Sequence, residues 1–165
     1  MIINYVHGDA TRPDRQGNQV LVHCCNDLGL WGKGFALSLT RRWSKPEQAY
    51  KKWKLGRDFT TPSPFTLGEV QFVQVESSPG GSMWVANMLC QAGITPQQGI
   101  PPIRYDALRQ ALERVNGFAV QNDAVILGPR FGAGLAGGEW LVIEKMIREV
   151  ITVDVFIYIE SEGVR

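Results

Sequence analysis

The sequence predicts an α/β fold, a three-layer α/β/α sandwich around a mixed, largely parallel sheet of about six strands, and three observations carry that expectation. Short apolar, strand-like runs alternate with helix-like stretches from one end of the chain to the other. Two segments repeat apolar residues at the 3, 4, 3 spacing of one helical face: Tyr105, Leu108, Leu112 and Val115, then Trp140, Ile143, Ile147 and Val150. Two glycine clusters, Gly29 to Gly34 and Gly128 to Gly138, each lie between a strand-like and a helix-like stretch, where such sheets place their ligand loops.

Taken in order, Ile2 to Val6 and Gln19 to Cys24 read as strands, the second a buried V-L-V-H-C run announced by the turn residues Gly17 and Asn18. Phe35 to Trp43 reads as a helix, and Pro46 in a first-turn position opens another through Lys54. Val70 to Val75 and Met83 to Met88 read as paired strands joined across Pro79-Gly80-Gly81, and Gly93 to Pro102 is a surface loop. The helix from Tyr105, a short buried strand Ala124 to Leu127, the helix from Trp140 and a closing strand Val153 to Ile159 complete the alternation. With 165 residues, one domain spanning 1–165 is expected.

The 17 basic and 16 acidic side chains leave a formal charge of +1 without a block of like charges, which argues against broad neutralisation of a phosphate backbone. Nucleic-acid binding is therefore not indicated, although Arg41, Arg42, Lys51, Lys52 and Lys54 with Trp43, Tyr50 and Trp53 offer a local basic and aromatic patch. The opening residues lack a basic n-region and no apolar run approaches the roughly 18 residues of a spanning helix, so no membrane association is expected. Three cysteines, two of them the neighbours Cys24 and Cys25, and only His7 and His23 give no metal-ligand spacing. A reducing cytoplasm and neither metal nor cofactor are expected.

Glycine makes up 18 of 165 residues, against a usual share of roughly 7%. In the two clusters it lets main-chain N–H groups approach phosphate oxygens closely, and the following helix N-terminus adds a favourable partial charge. A diphosphate held between two such loops is the natural reading. Two familiar alternatives fail. Gly32-Lys33-Gly34 is followed by Phe35 rather than by a metal-binding hydroxyl, so it is no Walker loop. Gly132-Ala133-Gly134-Leu135-Ala136-Gly137 has the letters of the dinucleotide fingerprint but follows a late strand, with no room for the remaining half-fold.

Three ordered segments carry a family resemblance across essentially the whole chain: Gly8-Asp9-Ala10-Thr11, H-C-C-N-D-L-G-L-W-G-K-G-F-A from His23 to Ala36, and P-R-F-G-A-G-L-A-G-G-E-W from Pro129 to Trp140. Together they resemble a macrodomain, most closely the branch of the terminal ADP-ribose glycohydrolase and the ADP-ribose-1''-phosphate phosphatase. The resemblance implies a pocket for ADP-ribose, free or attached to a macromolecule. It places Asp9 against the adenine amino group with the Ala10 main chain beside it, and Asn26 at the distal ribose. Gly32, Lys33 and Gly34, with Phe35 after them, would wrap that ribose and the diphosphate. Arg130, Phe131, Gly132, Ala133, Gly134, Leu135 and Ala136 would form the second phosphate loop, and Tyr158 would lie against the adenine or be an ordinary strand tyrosine.

The same resemblance implies an activity. Glycohydrolases of this branch use a lysine after the fourth strand and an aspartate in the second loop; here Met88-Leu89 and Ala136 stand in those regions. A lysine adduct is therefore not expected. What is expected is hydrolysis of a group on the distal ribose by water, with His23, Asn26, Asp27 and Lys33 as the catalytic set. Asp27 equally fits a turn cap and His23 a satisfied core histidine. The alternative is a module that binds ADP-ribose without turnover.

Overall fold

The computed structural model describes residues 1–160. Its elements, in chain order, are β1 (Ile3–His7), β2 (Asn18–Asn26), α1 (Phe35–Arg42), α2 (Lys45–Lys54), β3 (Val70–Ser78), β4 (Gly81–Gln91), α3 (Tyr105–Gln121), β5 (Ala124–Gly128), α4 (Trp140–Val150) and β6 (Val155–Ile159). All six strands join one sheet in the order β1-β6-β5-β2-β4-β3. Every neighbouring pair is parallel except β3 against β4, which close as a hairpin. This is the mixed, mostly parallel α/β/α architecture that the alternation predicts.

The continuous apolar run of β2 has a direct cause: the strand is hydrogen-bonded on both sides and covered on both faces. Val20 and Val22 enter the layer built with α3 and α4, among Leu108, Leu112, Ile143 and Ile147. Leu21 points the other way, into the layer that holds Leu39 of α1 and Val85 of β4. A third cluster, Cys25, Leu89, Tyr50 and Trp53, seats α2 beside it. Tyr50 and Trp53 are thus core residues, and the aromatic half of the basic patch on α2 is not available for stacking on bases.

Element ends depart from the sequence reading where side chains decide them. β2 continues past Cys24 to Asn26 and shifts register between Cys25 and Asn26. β6 begins at Val155 rather than Val153, while β1 begins after Ile2, whose N–H bonds to Asp154 Oδ1 at 2.9 Å. β3 and β4 run to within two residues of each other, leaving Pro79-Gly80 as the turn. Gly81, with φ of 134°, sits where any side chain would strike the Gly17 carbonyl. Among the described residues, no helix is long and apolar enough to cross a membrane.

Candidate functional site

The parallel strands β1, β2, β5 and β6 all point their carboxyl ends to one rim, and both glycine clusters lie there. Asn26 organises the first loop. Its Oδ1 accepts from the Leu28 and Leu30 N–H groups at 3.0 and 3.1 Å, and its Nδ2 donates to the Leu30 carbonyl at 2.7 Å. The Tyr50 hydroxyl, 2.6 Å from the Asn26 main-chain oxygen and 3.0 Å from Oδ1, ties this knot to α2. Asp27 fastens the other flank, donating its N–H to Gln91 O at 3.0 Å and accepting from Gly93 N–H on Oδ1 at 2.9 Å.

From this base Gly32, Lys33 and Gly34 run exposed into α1. Gly34 takes φ of 62° as the residue before the helix, a conformation side chains rarely adopt. The N–H groups of Gly32 through Ala36 donate to no protein acceptor among the described residues, as the first turn of a helix leaves them.

The second loop, 129–139, folds on itself through Phe131 N–H to Pro129 O, Gly137 N–H to Gly134 O and Gly138 N–H to Gly132 O at 2.7, 3.0 and 2.8 Å. Phe131 and Ala136 are buried, and Ala136 O accepts from Ile103 N–H at 3.0 Å. Gly132 has φ of 80°, and a Cβ there would lie 3.1 to 3.5 Å from Ile143, Ile103 and Cys24, so the fold itself demands glycine. Gly134 differs: its φ is ordinary and a Cβ would meet nothing within 4 Å. The N–H groups of Gly132, Gly134, Leu135 and Ala136 donate to no protein acceptor among the described residues. The two loops touch, since a Cβ on Gly34 would stand 3.2 Å from Leu135 Cδ1. Arg130 and Glu139 lie exposed at the loop's margins, the Glu139 N–H donating to Tyr105 Oη at 2.9 Å.

At the far side Asp9 is half-buried, and its Oδ1 accepts from the Thr11 N–H and Oγ1 at 2.9 and 2.8 Å. Ala10 is buried beside it. Tyr158 is only 6% exposed. Its ring lies under Gly8 in the core with Ala10 and Leu21, and burial raises its hydroxyl pKa. It presents no open aromatic face.

His23 is not on the rim either. It is 3% exposed, packs edge-on against Trp31 at 5.2 Å, and places Nε2 2.6 Å from Asn87 Oδ1. Burial lowers its pKa to about 4, so the ring is neutral at pH 7. Asn87 passes the chain of bonds on to Gln71 Oε1 at 3.0 Å, and Gln71 Nε2 reaches Asp58 Oδ2 at 2.6 Å. Thr60 and Thr61 donate to the same carboxylate, which together hold Asp58 at a pKa of about 2 against the opposing effect of its burial. Cys25, next to His23, is a thiol whose pKa burial pushes well up. Sequence reasoning missed Asn87 and Gln71 and assigned Tyr50 to a surface patch instead of the Asn26 loop; the readable signal was a polar residue, Asn87, inside the apolar run of β4.

No family model matches the chain. Among curated proteins it is 30% identical over 155 residues to the zebrafish (Danio rerio) chromodomain-helicase-DNA-binding protein 1-like, and it spans only 14% of that protein's length. An ADP-ribose 1''-phosphate phosphatase of Lodderomyces elongisporus is 20% identical over 164 residues, covering 96% of this chain and 99% of that one. A macrodomain protein of known structure from Streptomyces coelicolor is 44% identical with a TM-score of 0.80, covering 97% of this chain and 100% of that chain. Identity of 44% sustained over nearly the whole of both chains, with the same overall fold, places this chain in the macrodomain family.

Proposed function

We propose that the rim where the two glycine loops meet binds ADP-ribose and that the protein hydrolyses a substituent on its distal ribose. One observation carries the binding: two glycine loops face each other at Gly34 and Leu135, each offering a row of main-chain N–H groups with no protein acceptor. A diphosphate lying between them satisfies both rows. Asp9 at one end takes the adenine amino group on its carboxylate, and Lys33 at the other adds charge beside the diphosphate and distal ribose. The name of the Lodderomyces relative supports the same ligand class.

For turnover the chain supplies Asp27. One of its oxygens is held by Gly93 N–H, which fixes the carboxylate at the base of the first loop. It takes the proton of an attacking water while the loop N–H groups stabilise charge developing on the reacting oxygens. His23 is sealed in the core and bonded to Asn87, and the Asn26 amide is committed to its own loop, so neither stands free to share this work. Those two facts favour the second reading, a module that binds without turnover.

The deciding experiment is calorimetric titration with ADP-ribose, followed by incubation with ADP-ribose-1''-phosphate and with ADP-ribosylated protein. Micromolar or tighter binding is expected, and Asp9→Ala should weaken it by about 1.5 to 3 kcal/mol through loss of a charged hydrogen bond. Asp27→Ala should lower turnover by about 10²- to 10⁴-fold with affinity changed only a few-fold. Binding without release of phosphate or ADP-ribose by the wild type establishes the second reading.

A further inference from the structure

The segment between β4 and α3, expected from the sequence as a plain surface loop, is a hairpin arm. Bridges from Gln91 to Ile103 and from Gln97 to Ile100 close it, and the tip residues Gln98 and Gly99 both take positive φ, 53° and 78°, as a two-residue hairpin turn requires. The arm is tied to both glycine loops. Gly93 N–H donates to the Asp27 carboxylate at 2.9 Å, and Ile103 N–H donates to Ala136 O at 3.0 Å. Its return side is stiffened by two prolines in sequence and by the Arg104 guanidinium, which donates to the carbonyls of Pro101, Pro102 and Ile103 at 2.7, 3.1 and 3.0 Å.

The same prolines leave the outgoing side of the arm without partners, because neither has an N–H to donate across it. Among the described residues, no protein group hydrogen-bonds the main-chain N–H groups of Ile94 and Thr95 or the carbonyls of Gly93, Ile94, Thr95 and Pro96. Apolar side chains stand exposed beside these groups: Ile94 is 40% and Ile100 56% accessible, and Leu28, next to Asp27, is exposed as well. From Ala92 to Ile103 the sequence has no charged residue, and Arg104 beyond it is spent on the arm itself.

We propose that the arm docks a polypeptide carrying the ADP-ribosyl group, an uncharged, apolar stretch that runs extended, pairs its main chain with Ile94 and Thr95 and covers Ile94 and Ile100. With the rim taken as an ADP-ribose site, on which this rests, Asp27 lies at the distal ribose and Gly93 is bonded to Asp27, so a chain joined to that ribose leaves along the arm. The arm's chemistry selects among carriers. A nucleic-acid backbone brings acceptors and negative charge, which free carbonyls and an uncharged arm do not hold. A phosphate group has no apolar surface with which to cover the isoleucines. A polypeptide supplies alternating N–H and C=O groups together with apolar side chains, as strands added to an open edge do.

The probes are ADP-ribose alone and ADP-ribose joined through a non-hydrolysable linkage to a peptide with leucine and valine flanks, to one with aspartate flanks, and to a single-stranded oligonucleotide. By calorimetry the apolar peptide conjugate should bind about tenfold tighter than ADP-ribose, and the other two should show no gain. In ¹H–¹⁵N spectra the Ile94 and Thr95 amides should shift with the apolar conjugate and stay in place with ADP-ribose. Combining Ile94→Ser with Ile100→Ser should remove the gain and leave ADP-ribose affinity unchanged. N-methylation of the peptide flanks should remove it in the wild type, where the fold is untouched. An apolar conjugate that binds no tighter than ADP-ribose overturns the docking and leaves the rim site standing. So does an oligonucleotide that gains as much, or a gain that survives the substitutions or the N-methylation. Failure of ADP-ribose itself to bind overturns the rim site and the docking with it.

Discussion

Burial of His23 gives this protein an acid weakness that can be stated with its sign. In the unfolded chain the imidazole takes a proton below about pH 6.5, whereas in the fold its pKa is about 4 because the charged ring would have to sit in the core. The unfolded state thus binds more protons between those values, and stability falls as pH drops from about 6.5 to about 4, by about 3 kcal/mol in all. Urea unfolding across that range should show the loss, and His23→Gln should flatten it. Glycines at the rim divide in the same physical way. Gly132→Val should lower both melting temperature and ADP-ribose affinity, because φ of 80° and the Ile143 and Ile103 contacts forbid the side chain. Gly134→Val should keep its melting temperature and still lose at least tenfold in affinity, since a Cβ there meets nothing within 4 Å but enters the space where we propose the diphosphate lies. From the sequence both glycines looked alike, because spacing records that a turn exists and not which neighbour crowds it. His23 was equally ambiguous: on a strand buried on both faces, alternation gives no way to tell rim from core.

Among the elements, α2 matters for the site more than its basic surface suggests. It delivers Tyr50 to the Asn26 knot and so braces the first glycine loop from behind. Tyr50→Phe should cost about 1 to 2 kcal/mol of stability through a buried acceptor left unpaired. Amide exchange in 27–34 should quicken, and ADP-ribose affinity should fall although no ligand contact has been removed. Helical spacing and turn residues made the helices and strands legible in the sequence, to within a residue or two at most ends. What the sequence concealed were ties between distant segments, such as Asn26 to Tyr50 and Asp27 to Gly93, which leave no periodic trace. The exchanged ends, Asn26 for Cys24 and Val155 for Val153, are set by such ties as well.

For the whole molecule, strand number and the parallel character were readable, but strand order was not, because pairing across the sheet depends on which crossovers the helices pack. The observed order makes β2 a central strand, bonded to β5 and β4 and shielded on both faces. Hydrogen exchange should therefore find its slowest amides at Leu21 and Val22, opening only with global unfolding, while the outer edge of β3 exchanges early. The opposite border of the sheet has a different meaning. β1 pairs with β6 alone, and the bond from Ile2 N–H to Asp154 joins residues separated by 152 positions. On a ribosome adding roughly 5 to 20 residues each second, β1 waits roughly 8 to 30 seconds for its neighbour to be made. Throughout that interval Asp9 and the turn around it have no sheet to stand on, so the end of the rim where we propose the adenine lies is completed only once β6 has been made.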